Sequence, residues 1–567
     1  MANMQINKEW KITKRVSNET SSGLGQFPPL VAQLLYNRGV KTAEQATEFL
    51  LPTKDSLHAP TKLPDMDEAI NRLKMSIDSS ETVAIFGDFD ADGVTATAVL
   101  ALGFLKLGLN IIPYIPDRIY EGHGLNTNAI DYLKDNGASL IVTVDCGTTA
   151  VNEIAYAKTL GIDTIVTDHH VPQEELPDTK ATINPQLEGH SYPFLGLSGV
   201  GLAFKLIQGL YENLGIEWDP ALLQLVAIGT VTDVAPLLDE NRYLVSAGLN
   251  SMVHSPLPGI KKLMQMSRID KKDKLGTGDI SFSIGPLVNA PGRLDHAMKS
   301  YQMLISSNEL EADELANDIN TINKTRQNLT QQAVAIARSK VSEDEPLSNI
   351  TLIWDEEFKP GIVGLVASRL VDEYSKPAVV IAVEGNLARG SARSTPNFNM
   401  VEALSSCSDL FTKFGGHPMA GGFTIRTQDL HLLKTRMQEI NPNTLPANPS
   451  QQTLNVDANV RISTLTGDTF NMIRLMEPYG ESNAEPLFLT TGVQVLSVSF
   501  MGKNKQHIRM RILHQGSVWE AVGFNQSNNW VDSYKTLDIV YSVGLDTWSG
   551  REIFKLYLKD FRNPNPM

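Results

Sequence analysis

The chain is poor in cysteine and has no long apolar run. Its 567 residues include two cysteines, Cys146 and Cys407, which excludes a disulfide framework and a structural zinc site built from thiolates. No stretch approaches the roughly 18 consecutive apolar residues of a membrane span, and the first residues contain no apolar core of a signal peptide. We therefore expect a cytoplasmic protein that has no membrane partner.

Positive charge is also in short supply. The formal net charge is −15, which taken alone argues against a nucleic-acid partner because phosphate binding depends on Lys and Arg. However, residues 451–567 carry 11 basic and 11 acidic side chains, so the whole acidic excess lies in the first 450 residues. If those carboxylates bind metal ions, the net charge does not identify the ligand.

Residues 83–167 contain four short apolar runs at intervals typical of βαβ units. These runs are VAIF (83–86), NIIPYI (110–115), SLIVTV (139–144) and DTIVT (163–167). The segments between them place apolar residues at helical spacing, which predicts an α/β fold with a parallel sheet. Such a sheet collects its functional groups at the carboxyl ends of its strands.

The rest of the chain predicts further domains. Residues 293–345 contain neither Gly nor Pro, which predicts one or two long helices, and a smaller αβ unit follows. A Pro- and Asn-rich stretch at 440–452 reads as a linker, and the short β patterns beyond it suit an OB-like β-barrel. The expected domains are an N-terminal segment (1–60), a parallel-sheet domain (61–300), a connecting helix (301–345), a smaller α/β domain (346–440) and an OB-fold-like nucleic-acid-binding domain (453–567).

Three carboxylates follow the first apolar run. Asp88, Asp90 and Asp92 stand at alternate positions where a strand ends and a helix begins, and their mutual repulsion favours a bound cation. The spacing also matches the first half of an EF-hand loop. That alternative fails because the twelfth position is Val99 instead of a bidentate Glu.

Two more strands end in acidic residues. SLIVTV runs into Asp145, DTIVT runs into Asp168, His169 and His170, and a further candidate, Asp233, follows another apolar segment. A single Asp at such a position is usually a turn or capping residue. Together they would place carboxylates and imidazoles at one edge of one sheet, which is a ligand set that Mn²⁺ or Mg²⁺ accepts.

The acidic and histidine motifs together resemble those of a known family. The patterns D-x-D-x-D-G (88–93), D-C-G (145–147) and D-H-H (168–170), in this order, resemble the DHH phosphoesterase superfamily. The segments NAPGR (289–293), GSAR (390–393) and FGGH (414–417) are similar to those of its bacterial single-strand-specific exonucleases.

The resemblance implies a set of site residues. It implies two divalent metal ions, Mn²⁺ or Mg²⁺, with Asp145 bridging them and Asp88 as the least certain of the ligands. The implied metal ligands are Asp88, Asp90, Asp92, Asp145, His169 and Asp233. The implied catalytic residues are His170 and His417, and the implied substrate-binding residues are Arg293, Ser391, Arg393, Gly416 and His417.

It also implies a function. The expected activity is 5′-to-3′ hydrolysis of single-stranded DNA to mononucleotides in DNA recombination and repair, by a monomer whose partners are single-strand-binding protein and a repair helicase. Two alternatives stay open at this point. One is a small-substrate phosphodiesterase or oligoribonuclease of the same superfamily, and the other is a non-catalytic replication scaffold.

A basic cluster lies in the C-terminal domain. Its members surround a predicted hairpin with Phe500 and Trp519 nearby, and they are Lys503, Lys505, His507, Arg509 and Arg511. Basic residues interleaved with aromatic residues suit a track for single-stranded DNA. An ordinary solvated β face explains the same pattern equally well.

Overall fold

The computed structural model describes residues 8–17, 22–343, 350–396, 398–440, 453–546 and 552–564. The chain divides into two compact units. One combines Met1–Ser56, Leu237–Arg242 and Ser450–Met567, and the other combines Leu57–Pro236 and Tyr243–Pro449. The stretch expected to be a linker lies almost wholly outside the described residues.

The second unit begins with a five-stranded parallel sheet. In spatial order its strands are Asn110–Tyr114, Thr82–Gly87, Ala138–Val144, Asp163–Thr167 and Ala181–Ile183. Gly87 lies opposite Val144, and Val144 lies opposite Thr167, so these strands end at the same level. The predicted parallel sheet is therefore confirmed.

Helices cover both faces of this sheet. On one face, Phe86 and Ile141 pack with Ile130, Leu133 and Ile154. The helices of this part of the chain, in chain order, are Met66–Asp78, Ala91–Lys106, Thr127–Asp135, Val151–Thr159, Gly199–Leu214, Leu222–Thr232, Asp239–His254 and Pro258–Met266. Within the described part of the chain, no helix is long and apolar enough to cross a membrane.

Short helical turns then lead to one long helix. These turns are Thr277–Asp279, a π-helical turn at Ile280–Ile284, Gly285–Val288, Pro291–Leu294 and Met298–Ile305, and the long helix is Glu309–Glu343. The predicted connecting helix is thus interrupted near its start. The hydroxyl of Ser306 donates hydrogen bonds to the Asn308 carbonyl and to Glu311, so it supports a break between the two helices.

A second, mixed sheet completes this unit. In spatial order its strands are Phe411–His417, Ala420–Arg426, Leu387–Arg393, Ala378–Glu384 and Thr351–Asp355, and its helices are Val363–Tyr374, Met400–Ser405 and Leu430–Glu439. The strand Thr351–Asp355 pairs in parallel, and the other pairings are antiparallel. This is the smaller α/β domain that the sequence predicts.

The other unit is built on a closed β-barrel. Its strands are Phe488–Met501, His507–His514, Ser517–Gly523, Thr536–Asp546 and Ile553–Arg562, and the first of them closes the barrel by pairing with the second and the fourth. Smaller elements of this unit are the strands Glu9–Ile12, Thr453–Val456 and Ala458–Asn459 and the helices Pro29–Asn37, Ala43–Leu50 and Asp468–Arg474. The predicted OB-like barrel is confirmed.

The N-terminal segment shares the core of this barrel. Leu34, Leu35 and Phe49 pack in one cluster with Phe488 and Ile539. The segment 1–60, which the sequence sets apart, is therefore structurally part of the barrel unit up to Ser56.

Candidate metal centre and phosphate pocket

The site begins where three neighbouring strands of the parallel sheet end. Asp88, Asp145 and Asp168 each directly follow the last residue of a strand, and all three are buried. Asp145 has a φ of 60°, a left-handed conformation that Asp and Asn tolerate better than most residues. The register of the sheet thus brings together carboxylates that are far apart in sequence.

Two further carboxylates lie at the start of the helix Ala91–Lys106. The Asp90 side chain caps this helix by accepting hydrogen bonds from the backbone N–H groups of Asp92 and Gly93. Asp92 accepts hydrogen bonds from the N–H groups of Gly199 (2.6 Å) and Val200 (2.9 Å). The positions of both side chains are therefore fixed by the backbone.

These side chains form three overlapping groups with metal-binding spacing. In each group the ligand atoms lie within 4.8 Å of one another. The groups are Asp88, Asp90 and Asp145; Asp92, His169 and Asp233; and Asp145, His169 and His170. The structure thus brings together every metal ligand that the sequence indicates.

The electrostatics of the site favour a bound cation. Burial, followed by repulsion from neighbouring carboxylates, raises the pKa of Asp92 and Asp145 well above the ordinary value, and burial and Asp90 raise that of Asp233 to about 7. Asp145 Oδ1 and His169 Nε2 lie 3.1 Å apart, yet both are buried without a hydrogen-bond partner. Such atoms, together with the mixed oxygen and nitrogen donors, fit a divalent metal ion.

The two neighbouring histidines have different environments. Burial, followed by the charge of His170, lowers the pKa of His169 to about 4, which keeps its imidazole neutral and able to bind metal. His170 Nδ1 donates a 2.7 Å hydrogen bond to Asp168, which raises the pKa of His170 to about 9 against the effect of burial. His170 is thus a cation at neutral pH, beside the carboxylates.

His417 reaches the same place from the second sheet. Its ring lies parallel to that of His170, with the centroids 6.4 Å apart. Gly416 has a φ of 156°, and a Cβ there would lie 2.4 Å from the Ala420 carbonyl oxygen, so only glycine fits before His417. The motif therefore carries His417 to the rim of the acidic cluster.

A pocket of cations adjoins the carboxylates. Arg393 donates hydrogen bonds to the Ser391 hydroxyl (3.0 Å) and the Ala392 carbonyl, and a Cβ at Gly364 would approach both Arg393 and Ser391. Arg293 donates to the Gly361 carbonyl, and its buried Nε has no hydrogen-bond partner. Burial, followed by the charges of Arg118, Arg326 and Arg393, lowers the pKa of Arg293 to about 9, as expected where cations converge to bind an anion.

The structure adds residues that the sequence interpretation missed. His123 Nδ1 donates to Asp88 (3.2 Å) and its ring contacts Phe89, while the guanidinium of Arg118 lies 4.5 Å from the centre of the Phe89 ring. Both follow the strand Asn110–Tyr114, whose carboxyl end carries no aspartate motif. A search of every strand end for cations as well as acids would have found them.

Other missed contacts come from backbone and packing. The Asn289 side chain accepts a hydrogen bond from the N–H of Ala91, so it holds the start of the helix that bears Asp92. Cys146, beside Asp145, is buried, and burial raises the pKa of its thiol well above the ordinary value. Cys146 is therefore a packing residue and a poor nucleophile.

The structure separates Trp519 from the basic cluster of the barrel. Trp519 lies opposite Ile512 and packs against the barrel core, whereas Arg511 and Arg509 are exposed and alternate with core residues. Arg509 also forms an ion pair with Glu520. The expected interleaving of Trp519 with these cations is therefore wrong, because alternate residues of a strand face opposite sides. Phe500 remains partly exposed.

Comparison with protein-family models supports the class. The DHH family N-terminal domain matches residues 82–230, the DHHA1 domain matches residues 346–441, and the RecJ OB domain matches residues 456–560. Fold and site are those of a DHH phosphoesterase.

Individual relatives match over nearly the whole chain. The single-stranded-DNA-specific exonuclease RecJ of Bacillus subtilis is 37% identical over 97% of this chain and 70% of its own length, and that of Salmonella typhimurium is 31% identical over 98% and 99%. The crystal structure of Thermus thermophilus RecJ with Mn²⁺ superimposes with a TM-score of 0.85 at 26% identity, covering 100% of this chain and 81% of that one. The corresponding Mg²⁺ complex gives a TM-score of 0.78 at 25% identity, covering 99% and 80%. The chain belongs to the RecJ family of single-stranded-DNA-specific exonucleases.

Proposed function

We propose that this protein is a metal-dependent exonuclease that hydrolyses single-stranded DNA from its 5′ end to mononucleotides, in DNA recombination and repair. The observation that carries the proposal is the contact between the two ligand groups through Asp145 and His169, whose Oδ1 and Nε2 lie 3.1 Å apart, beside a pocket of arginines. Relatives that are named as such exonucleases and match nearly the whole of this chain favour it over a small-substrate phosphodiesterase. The complete set of ligands argues against a scaffold without activity.

The ligand groups divide between two metal positions. Asp88, Asp90 and Asp145 would hold one divalent ion, and Asp92, His169 and Asp233 would hold the other. Asp145 would be shared between them, because its Oδ1 lies 3.1 Å from His169 Nε2. When bound, Mn²⁺ or Mg²⁺ acidifies water and neutralises the oxygens of the phosphate under attack. The surrounding groups hold the ligands in place, since backbone N–H groups bind Asp92 and His123 binds Asp88.

The two sheets and the short helix Pro291–Leu294 would together supply the substrate contacts. Arg293, Arg393 and the Ser391 hydroxyl would bind the 5′-terminal phosphate, because a monoester carries more charge than an internal diester and arginine forks match its oxygens. His170 and His417 would contact the scissile phosphate, and Asp168 would keep His170 oriented and protonated. A pocket for the terminal phosphate beside the metals sets the polarity of digestion.

The proposal extends to the domain limits, the cellular location, the oligomeric state and the protein partners. We propose the domain limits that the sequence predicts, except that the N-terminal segment belongs to the barrel unit up to Ser56. We also propose a cytoplasmic location, a monomeric chain, and docking of single-strand-binding protein and a repair helicase. The exposed cations of the barrel, Arg509 and Arg511, would add contacts to the DNA backbone.

Digestion of end-labelled DNA tests the function. We expect 5′-phosphorylated single strands to be degraded with Mn²⁺ or Mg²⁺ and to survive in EDTA, and we expect blunt duplex of the same sequence to be degraded at least severalfold more slowly. The reason is that the metals and the arginine pocket must both contact one strand end. Hydrolysis of cyclic or short dinucleotides alone would favour the small-substrate alternative, and metal-independent binding without hydrolysis would favour a scaffold.

Arg393→Ala tests the polarity. Losing one charged hydrogen bond of about 1.5–3 kcal/mol should weaken recognition of the 5′-phosphate roughly tenfold or more. The measurement is the initial rate on matched oligonucleotides with a 5′-phosphate or a 5′-hydroxyl. The exposed Arg426, at the far end of the neighbouring strand, provides the control Arg426→Ala, which should keep the full preference. Digestion from 3′ ends, or an unchanged preference in Arg393→Ala, would show that the pocket is assigned wrongly.

A further inference from the structure

Two further arginines, the half-buried Arg326 and the exposed Arg369, lie on the long helix next to Arg293 and on a helix packed against it. Arg326 lies on the long helix Glu309–Glu343, and Arg369 lies on the helix Val363–Tyr374. The long helix packs against Val363–Tyr374 and also against the short helix Pro291–Leu294 that bears Arg293. Three guanidinium groups therefore come from three different helices.

These three cations form no ion pair among the described residues. Arg293 Nε and Arg326 Nε are both buried without a hydrogen-bond partner. Burial, followed by the charge of Arg369, lowers the pKa of Arg326. The positive charges of these side chains therefore repel one another when no anion is bound. Unpaired cations held together in this way are stabilised by an anion.

Electrostatic interactions also link these cations to one another. Arg118 interacts with Asp88 and Asp90, and Arg393 interacts with Arg118. Arg326, in contrast, interacts with Arg293 and Arg369. Arg293 also interacts with Asp90, and its helix packs against the long helix that bears Arg326, so Arg293 connects the cations beside the carboxylates with Arg326.

We propose that Arg326 and Arg369 bind the additional phosphates of a strand whose 5′ end carries a diphosphate or a triphosphate. The inference rests on the proposed function. If the scissile phosphate lies at the carboxylates and the first 5′-phosphate lies at Arg293, Ser391 and Arg393, the terminal nucleoside lies between them. Further phosphates would then extend beyond Arg293, toward Arg326 on the long helix that packs against the helix of Arg293.

The bond that breaks is the same as for a monophosphorylated strand. Water adds to the phosphorus of the first internucleotide diester, the bond from that phosphorus to the 3′ oxygen of the terminal nucleoside breaks, and this oxygen takes up a proton. The shortened strand keeps the phosphate. The first product is therefore an intact nucleoside 5′-triphosphate, with no release of pyrophosphate.

Binding without metal tests the subsite independently of hydrolysis. In EDTA, the affinities of matched single-stranded oligonucleotides with a 5′-triphosphate or a 5′-monophosphate are compared by fluorescence anisotropy. Two added phosphates that meet two arginines should strengthen binding at least about tenfold in the wild type. In Arg326→Gln, which leaves Arg369 in place, this ratio should fall severalfold, whereas Arg326→Lys should keep more of it because the charge remains.

Lys324→Gln is the matched control. Lys324 is exposed on the same helix, two residues from Arg326, so the variant loses the same charge and should keep the wild-type ratio. Since Arg326 has no ion pair to lose, we expect Arg326→Gln to melt no lower than Lys324→Gln, which separates loss of the subsite from unfolding.

The outcomes separate the two proposals. Equal affinity of the wild type for both ends, or the same ratio in Arg326→Gln and Lys324→Gln, would overturn the subsite. Release of pyrophosphate as the first product when Mn²⁺ is added would also overturn the subsite. Failure of the wild type to degrade even the monophosphorylated strand would instead overturn the proposed function, while the affinity ratio would still decide the role of Arg326.

Discussion

Asp145→Asn is expected to lower the turnover number on 5′-phosphorylated single strands by about 10³-fold or more. Asp145 belongs to the ligand group with Asp88 and Asp90, and its Oδ1 lies 3.1 Å from Nε2 of His169, a member of the other group, so we expect its loss to affect both proposed metal positions. Metal-assisted catalysis is worth several kcal/mol, and about 4 kcal/mol corresponds to a 10³-fold change in rate. Asn is the appropriate replacement because it tolerates the left-handed backbone at this position.

Two controls accompany this variant. Cys146→Ala, at the next residue, removes only a buried packing group and should keep most of the activity. Without metal, Asp145→Asn should melt no lower than the wild type, because it removes one of several mutually repelling carboxylates. Near-normal nuclease activity in purified Asp145→Asn protein would refute the shared-ligand interpretation.

Gly199→Ala is expected to reduce activity by roughly 10²-fold, although residue 199 cannot itself bind metal through a side chain. A Cβ at this position would lie 2.5 Å from Asp145 Cβ and 2.7 Å from Asp145 Oδ1. The N–H of Gly199 also binds Asp92. The substitution would therefore displace two ligands at once, and a displacement of about 1 Å in a catalytic group can cost about 100-fold.

The test is a metal titration of the activity, well below the melting temperature. Gly199→Ala should show both a lower maximal rate and a higher half-saturating Mn²⁺ concentration. Gly201→Ala, on the same helix, is the matched control because its Cβ would come no closer than 3.2 Å to the Leu197 side chain and would not contact a carboxylate. Equal metal dependence in the two variants would show that Gly199 has no positioning role.

Local sequence patterns are sufficient to predict a large part of the fold and of the metal centre. Alternating strands and helices predict the parallel sheet, and the rule that functional groups gather at strand ends is enough to place Asp88, Asp145 and His169 together. The period-two pattern likewise predicts the barrel. These predictions succeed because each depends on residues that are neighbours along the chain, or on one general property of parallel sheets.

Contacts between distant segments cannot be predicted in this way. The backbone at Gly199 and Val200 binds Asp92, more than a hundred residues away, and no local pattern distinguishes Gly199 from the glycines around it. The pattern also fails to show which face of its strand Trp519 occupies, because the register is set by pairing with His507–His514. The joining of the N-terminal helices to the barrel is likewise a product of tertiary packing.

The N-terminal helices are translated long before the barrel strands with which they pack. The helix Pro29–Asn37 buries Val31, Leu34 and Leu35 in a core that includes the barrel strands, which begin only after residue 487. At translation rates of about 5–20 residues per second, the ribosome needs roughly 20–90 s to pass from the end of the N-terminal segment to the start of the barrel. During that interval the apolar face of this helix lacks its native partners. The N-terminal segment is therefore translated before the parallel-sheet domain. It can complete its folding only after the barrel strands have been made.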